Sequence, residues 1–130
     1  QNAEMYSLAL IFWELLRRTS FDLEQPLNKN NNTTQSASDQ IPTRRVHYSY
    51  DYKLPYYEHI QSDPDEFQMK QMVCDQKKRP EINSLWRQVP ILSELTQLTE
   101  ELWVENADGR LNALRLKKSL NLIKRRQQQN

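Results

Sequence analysis

The chain has 130 residues and a mass of 15.6 kDa, the size of one ordinary domain, and two independent cores are not expected from it. Its only glycine, Gly109, excludes phosphate-cradling loops that need several positions without a Cβ. A lone cysteine, Cys74, with His47 and His59 excludes an internal disulfide and the usual Cys/His zinc sets. The 18 basic and 17 acidic residues nearly cancel, so no global field draws the chain to nucleic acid or membrane, and the low mean hydropathy of −0.93 implies a polar segment or a core completed from elsewhere.

The first element runs from Ala3 to Arg18, with apolar side chains on nearly every face and its charges at the ends. This pattern predicts a helix buried on most sides, and the rest of the chain looks too short and too polar to enclose it. Its apolar run, Leu8 to Trp13, is far below the ~20 residues of a membrane span, and nothing before it resembles a signal peptide, so the expectation is a soluble segment in a reducing compartment.

From Asp22 to about Thr43, and out to residue 47 at its widest, Asn, Gln, Ser, Thr and Lys dominate. This composition predicts a disordered insertion, in which Asn31 and Asn32 open two N-x-[ST] sequons that would matter only in a secreted protein. The aromatic run Tyr48 to Tyr57 contains Pro55, which pushes Leu54 toward an extended conformation. With one lysine in ten residues the run suits docking on a helical body better than nucleobase stacking, and no nucleic-acid partner is expected.

Three further helices follow. The first is expected from Asp63 to about Gln76, with Asp63 as cap, Pro64 in the first turn, Glu66 completing a capping box, and Lys77-Lys78-Arg79-Pro80 as the stop. The second spans roughly Pro90 to Val104, with Ile91, Leu92, Leu95, Leu98, Leu102 and Trp103 on one stripe. The third is capped by Asn112 and carries a basic end around Lys124, Arg125 and Arg126, read first as a solvated face that complements the helix dipole and second as a contact for phosphate or anionic lipid. Carboxylates such as Asp63, Asp65 and Glu66 are explained by capping, and Asp75 beside Cys74 would raise the thiol pKa, so neither group is read as catalytic or metal-binding.

Several stretches carry a resemblance: Tyr6 followed by Leu10-Ile11-Phe12-Trp13-Glu14; Leu54-Pro55-Tyr56-Tyr57 then Ser62-Asp63-Pro64; Met72-Val73-Cys74; Arg79-Pro80-Glu81-Ile82 with Trp86; Glu101-Leu102-Trp103; and Arg110-Leu111-Asn112-Ala113-Leu114-Arg115-Leu116-Lys117-Lys118. Together they resemble the C-terminal part of a protein kinase catalytic domain, more narrowly that of the type I receptors of the TGF-beta, activin and bone morphogenetic protein family. The resemblance implies a mainly α fold: a kinase-like C-lobe portion, helices F to I, over residues 1 to 130, without the N-lobe or the catalytic and activation segments.

It further implies structural roles for Glu4, Ile11, Trp13, Leu15, Trp103 and Arg110, and a docking surface at Leu54, Pro55, Tyr56 and Tyr57. Ile11 and Leu15 match positions supporting the side-chain column beneath the adenine, and Arg110 matches the arginine that pairs with a glutamate absent from this chain. Three departures stand out: Glu4 where kinases place aspartate, Ala9 for a glycine, and Leu102 for the cysteine before Trp103. The Asn-rich insertion is also atypical.

Phosphoryl transfer needs a β3 lysine, an HRD aspartate, a DFG aspartate and a cover over the phosphates, and none of these motifs occurs here. The implied parent is a single-pass receptor serine/threonine kinase. It would use ATP and Mg2+ on the cytoplasmic side to phosphorylate receptor-regulated Smad proteins, with a type II receptor as a further partner. This segment would be inactive alone, supply scaffold and docking surface, hold no cofactor or metal, and pack on the rest of the kinase domain. Two other readings are a truncated, catalytically inactive interaction module and a helical adaptor that binds acidic partners through the basic last helix.

Overall fold

The computed structural model describes residues 2–27, 42–60 and 63–129. Its helices are α1 (Asn2–Arg18), α2 (Glu66–Lys70), α3 (Pro90–Leu102) and α4 (Ala113–Gln128), joined by short 3-10 turns at Ser84–Gln88 and Ala107–Gly109. The mainly helical expectation holds.

The core forms where α1 crosses α3. Met5, Ala9, Trp13 and Leu16, spaced four, four and three apart, line the inner face of α1 and pack against Trp86, Leu92, Leu98, Leu102 and Trp103; Leu116 and Ile123 of α4 close the far side. The chain encloses α1 only in part, as the shortness and polarity of its remaining residues led one to expect. Ala9 and Trp13 are fully buried, but Ile11 and Leu15 are 55% and 56% exposed, so one apolar face of the helix is bare.

The insertion expected at 22–47 needs correction. Both of its flanks are strands: β1 (Phe21–Pro26) pairs antiparallel with β2 (Thr43–Tyr48) in one register, from Phe21↔Tyr48 to Pro26↔Thr43. Alternation accounts for the pairing. Phe21 and Leu23 face Tyr48 and Val46 on one side of the ladder, with the Phe21 and Tyr48 rings stacked at 5.5 Å, while the other side sets Asp22 opposite His47 and Glu24 opposite Arg45. The Asp22 carboxylate meets His47 Nδ1 at 2.6 Å and Arg45 at 3.0 Å, and the His47 hydrogen bond, aided by Arg45, lowers its pKa. The central Asn-rich stretch, including Asn31 and Asn32, lies outside the described residues.

The helix expected from Asp63 begins two residues later. Asp65 is its cap, accepting from Gln68 N–H at 2.7 Å while the Gln68 side chain accepts from Asp65 N–H at 3.1 Å. Gln68 stands to Asp65 as Glu66 stands to Asp63, so the structure uses the second of two boxes of equal spacing. After Lys70 the helix widens into a π turn at Gln71–Asp75 that carries the exposed Cys74 and closes through Gln76 N–H onto the Gln71 carbonyl. Lys77 then takes a left-handed conformation, φ 56°, and Lys78 N–H returns to the Met72 carbonyl. Pro90 opens α3, and Asn112 caps α4 by accepting from Arg115 N–H at 2.9 Å, both as expected.

Candidate functional site

The aromatic run after β2 is a strap laid across α1. Pro55 opens a turn, and Tyr56 is held at φ 69°, a left-handed conformation that a bulky residue adopts only under tertiary constraint. The constraint is visible: the Tyr56 ring is 1% exposed and its hydroxyl is hydrogen-bonded to that of Tyr6 on α1. Burial raises the pKa of both phenols, most strongly that of Tyr56, so the pair is neutral across the physiological range.

Two arginines frame the pair. Arg79 holds its guanidinium 5.4 Å from the centre of the Tyr6 ring and donates from Nε to the Trp103 carbonyl at 2.7 Å, and a second nitrogen donates to the Val73 and Lys78 carbonyls. Arg110 lies 5.5 Å from the same ring and donates from Nε to the Val104 carbonyl at 2.9 Å. Arg79 therefore ties the π turn, the end of α3 and α1 together. Reading Arg79 only as part of the helix stop missed this role, because its partners on α1, in the π turn and at the end of α3 are brought to it by the fold.

On the other side of the strap, Arg17 lies 4.9 Å from the Tyr57 ring centre and 5.8 Å from those of Trp13 and Tyr50, and donates to the Asp51 carbonyl at 3.1 Å. The strap docks on the helical body, as its composition predicted. Between it, α1 and α2 lies an apolar cavity of about 600 Å³, walled by Leu10, Tyr52, Leu54, Pro55, Tyr57 and Met69 among others. Of the expected docking residues, Leu54 and Tyr57 are exposed, Pro55 is half-buried, and Tyr56 points inward.

The structural residues separate in the same way. Trp13 and Trp103 are core, Arg110 joins the tyrosine cluster, and Glu4, Ile11 and Leu15 stand in solvent. No group of three His, Cys, Asp or Glu side chains comes together among the described residues, and no helix of theirs is long and apolar enough to cross a membrane.

The chain is 32% identical to human TGF-beta receptor type-1 over 123 residues, 95% of the chain, and 34% identical to mouse activin receptor type-1B over 121 residues, 93% of the chain. Human activin receptor type-1C is 31% identical over 125 residues. The chain is thus similar to a segment of the TGF-beta and activin type I receptors. It spans about one fifth of the length of these relatives: 20%, 19% and 20% respectively. No protein-family model matches it.

Proposed function

We propose that the chain is the C-lobe portion, helix F onward, of a type I receptor serine/threonine kinase, where it serves as scaffold and docking surface. The observation that carries this reading is the divided character of α1. One side closes on the chain's own α3, while Ile11 and Leu15 present an apolar face that the described residues leave to solvent. Such a face is expected to be covered by another part of the same domain.

On this reading the lysine and aspartates that hold ATP and Mg2+ stand outside these 130 residues, and Glu4, exposed in the first turn of α1, faces the missing catalytic loop. The parent is a single-pass membrane receptor with this segment on the cytoplasmic side. It phosphorylates receptor-regulated Smad proteins in concert with a type II receptor. The Leu54 to Tyr57 strap and its apolar cavity suit the docking of a protein partner.

The test is to obtain the complete transcript, express the protein it encodes, and assay ATP-dependent phosphorylation of a receptor-regulated Smad. Activity in that protein, lost in the Ile11→Asp/Leu15→Asp variant, supports the reading. A transcript that encodes no glycine-rich loop, β3 lysine, HRD or DFG overturns it in favour of the inactive interaction module.

A further inference from the structure

The near-neutral total charge conceals a polarised distribution. Six of the chain's 18 basic residues and none of its 17 acidic residues lie within α4. Arg126 is engaged by Glu94 of α3. Arg115, Lys117, Lys118, Lys124 and Arg125 have no ion pair or side-chain hydrogen bond among the described residues.

Helical geometry sorts these groups. Leu116 and Ile123 are buried toward the core, so the outward face is centred on Leu114, Lys118, Asn121 and Arg125, with Leu122 beside it and Lys117 and Lys124 on its flank. Leu114 and Leu122 stand two turns apart and are 62% and 53% exposed. This face is therefore an apolar pair set among unpaired cations.

We infer that the outward face of α4 is a docking surface for an anionic lipid membrane. Charge complementarity selects an anionic partner, and the side-chain types select lipid. Long, flexible lysine and arginine stems can hold their charges at headgroup level while two leucines enter the acyl boundary. A single-stranded nucleic acid would call for base-stacking aromatics, which α4 lacks, and a duplex would give the exposed Leu114 and Leu122 nothing apolar to enter. The inference rests on α4 alone and does not depend on the kinase reading above.

Sedimentation of the full chain with vesicles tests it. We expect binding to phosphatidylcholine vesicles containing about 30% phosphatidylserine, little binding to pure phosphatidylcholine, and loss of binding as salt rises. The Lys117→Glu/Lys118→Glu/Arg125→Glu variant should bind at least about tenfold more weakly. Arg44→Glu/Lys70→Glu/Lys78→Glu, the same charge change at exposed sites elsewhere, should bind like the parent. Leu114→Gln/Leu122→Gln should weaken binding several-fold at unchanged charge, with circular dichroism confirming equal helicity for every variant. Equal affinity for the two vesicle types, indifference to the α4 charge reversal or to the leucine replacements, or capture of duplex DNA or poly-glutamate without vesicle binding would each overturn the inference.

Discussion

The indole Nε1 of Trp13 donates to the carbonyl of Glu81 at 2.8 Å, across 68 positions of sequence. That bond fastens the centre of α1 to the stretch leading into the Ser84–Gln88 turn, and the ring that makes it is fully buried. Trp13→Phe removes the donor, strands the carbonyl and leaves a small void, at an expected cost of about 1–3 kcal/mol. Trp13→Ala should cost about 3–5 kcal/mol, read from urea unfolding as a lower midpoint.

Because Tyr6 and Tyr56 are neutral when folded and their pKa values lie above the ordinary 10.0, their linkage to pH has a definite sign. Below pH 10 both states of the protein keep the protons, so the pair adds no pH dependence. Above it the unfolded chain sheds protons first, and stability falls as pH rises. The decline should be shallower in Tyr6→Phe/Tyr56→Phe than in the parent. Each single variant strands a hydroxyl and should cost about 1 kcal/mol, and the double variant less than the sum. Denaturation series at several pH values supply both comparisons.

Backbone conformation points opposite ways at two exposed positions. Lys77 sits at φ 56°, where glycine carries no steric cost, and its ion pair with Glu105 is surface-exposed and worth little. Lys77→Gly should leave stability unchanged or raise it by up to about 1 kcal/mol. Gly109 has no such need. A Cβ there would meet only Val104 Cγ2, at 3.7 Å, so Gly109→Ala should be neutral or stabilise by about 0.4–1 kcal/mol through the unfolded chain. Thermal melts of both variants decide the matter.

On α1 the contrast is between faces. Ile11→Asp/Leu15→Asp in the isolated chain should change stability by no more than about 1 kcal/mol, because both side chains are already in water, and should reduce self-association. Ala9→Leu, on the buried face, should cost about 1–3 kcal/mol by overpacking. Chemical denaturation and light scattering measure the two effects separately.

Local signals carried the helices well. Pro90 and Asn112 announce their own termini, and the α3 stripe names its core residues, because caps and 3.6-residue periodicity are properties of neighbouring positions. The cap of α2 was misplaced by two residues because Asp63 with Glu66 and Asp65 with Gln68 have the same spacing, and the local pattern does not choose between them. The β1–β2 ladder escaped notice because its partners are far apart and the composition between them is polar; Phe21, Leu23, Val46 and Tyr48 alternate correctly, but over too few residues to outweigh it. At the strap, composition gave the docking of aromatics but not the inversion of Tyr56, since a left-handed tyrosine follows from Tyr6 and not from its sequence neighbours.

The ladder ends with Pro26 opposite Thr43, and just beyond it Leu27 N–H donates to the Pro42 carbonyl at 2.9 Å. That bond holds Leu27 and Pro42, which are fifteen positions apart in sequence, side by side at the end of the ladder. The number of residues joining the two is thereby decoupled from the distance between α1 and the aromatic strap, and each doubling of it would cost only about 0.6 kcal/mol in closure entropy. An evolving protein could change that number while β1 and β2 keep their register.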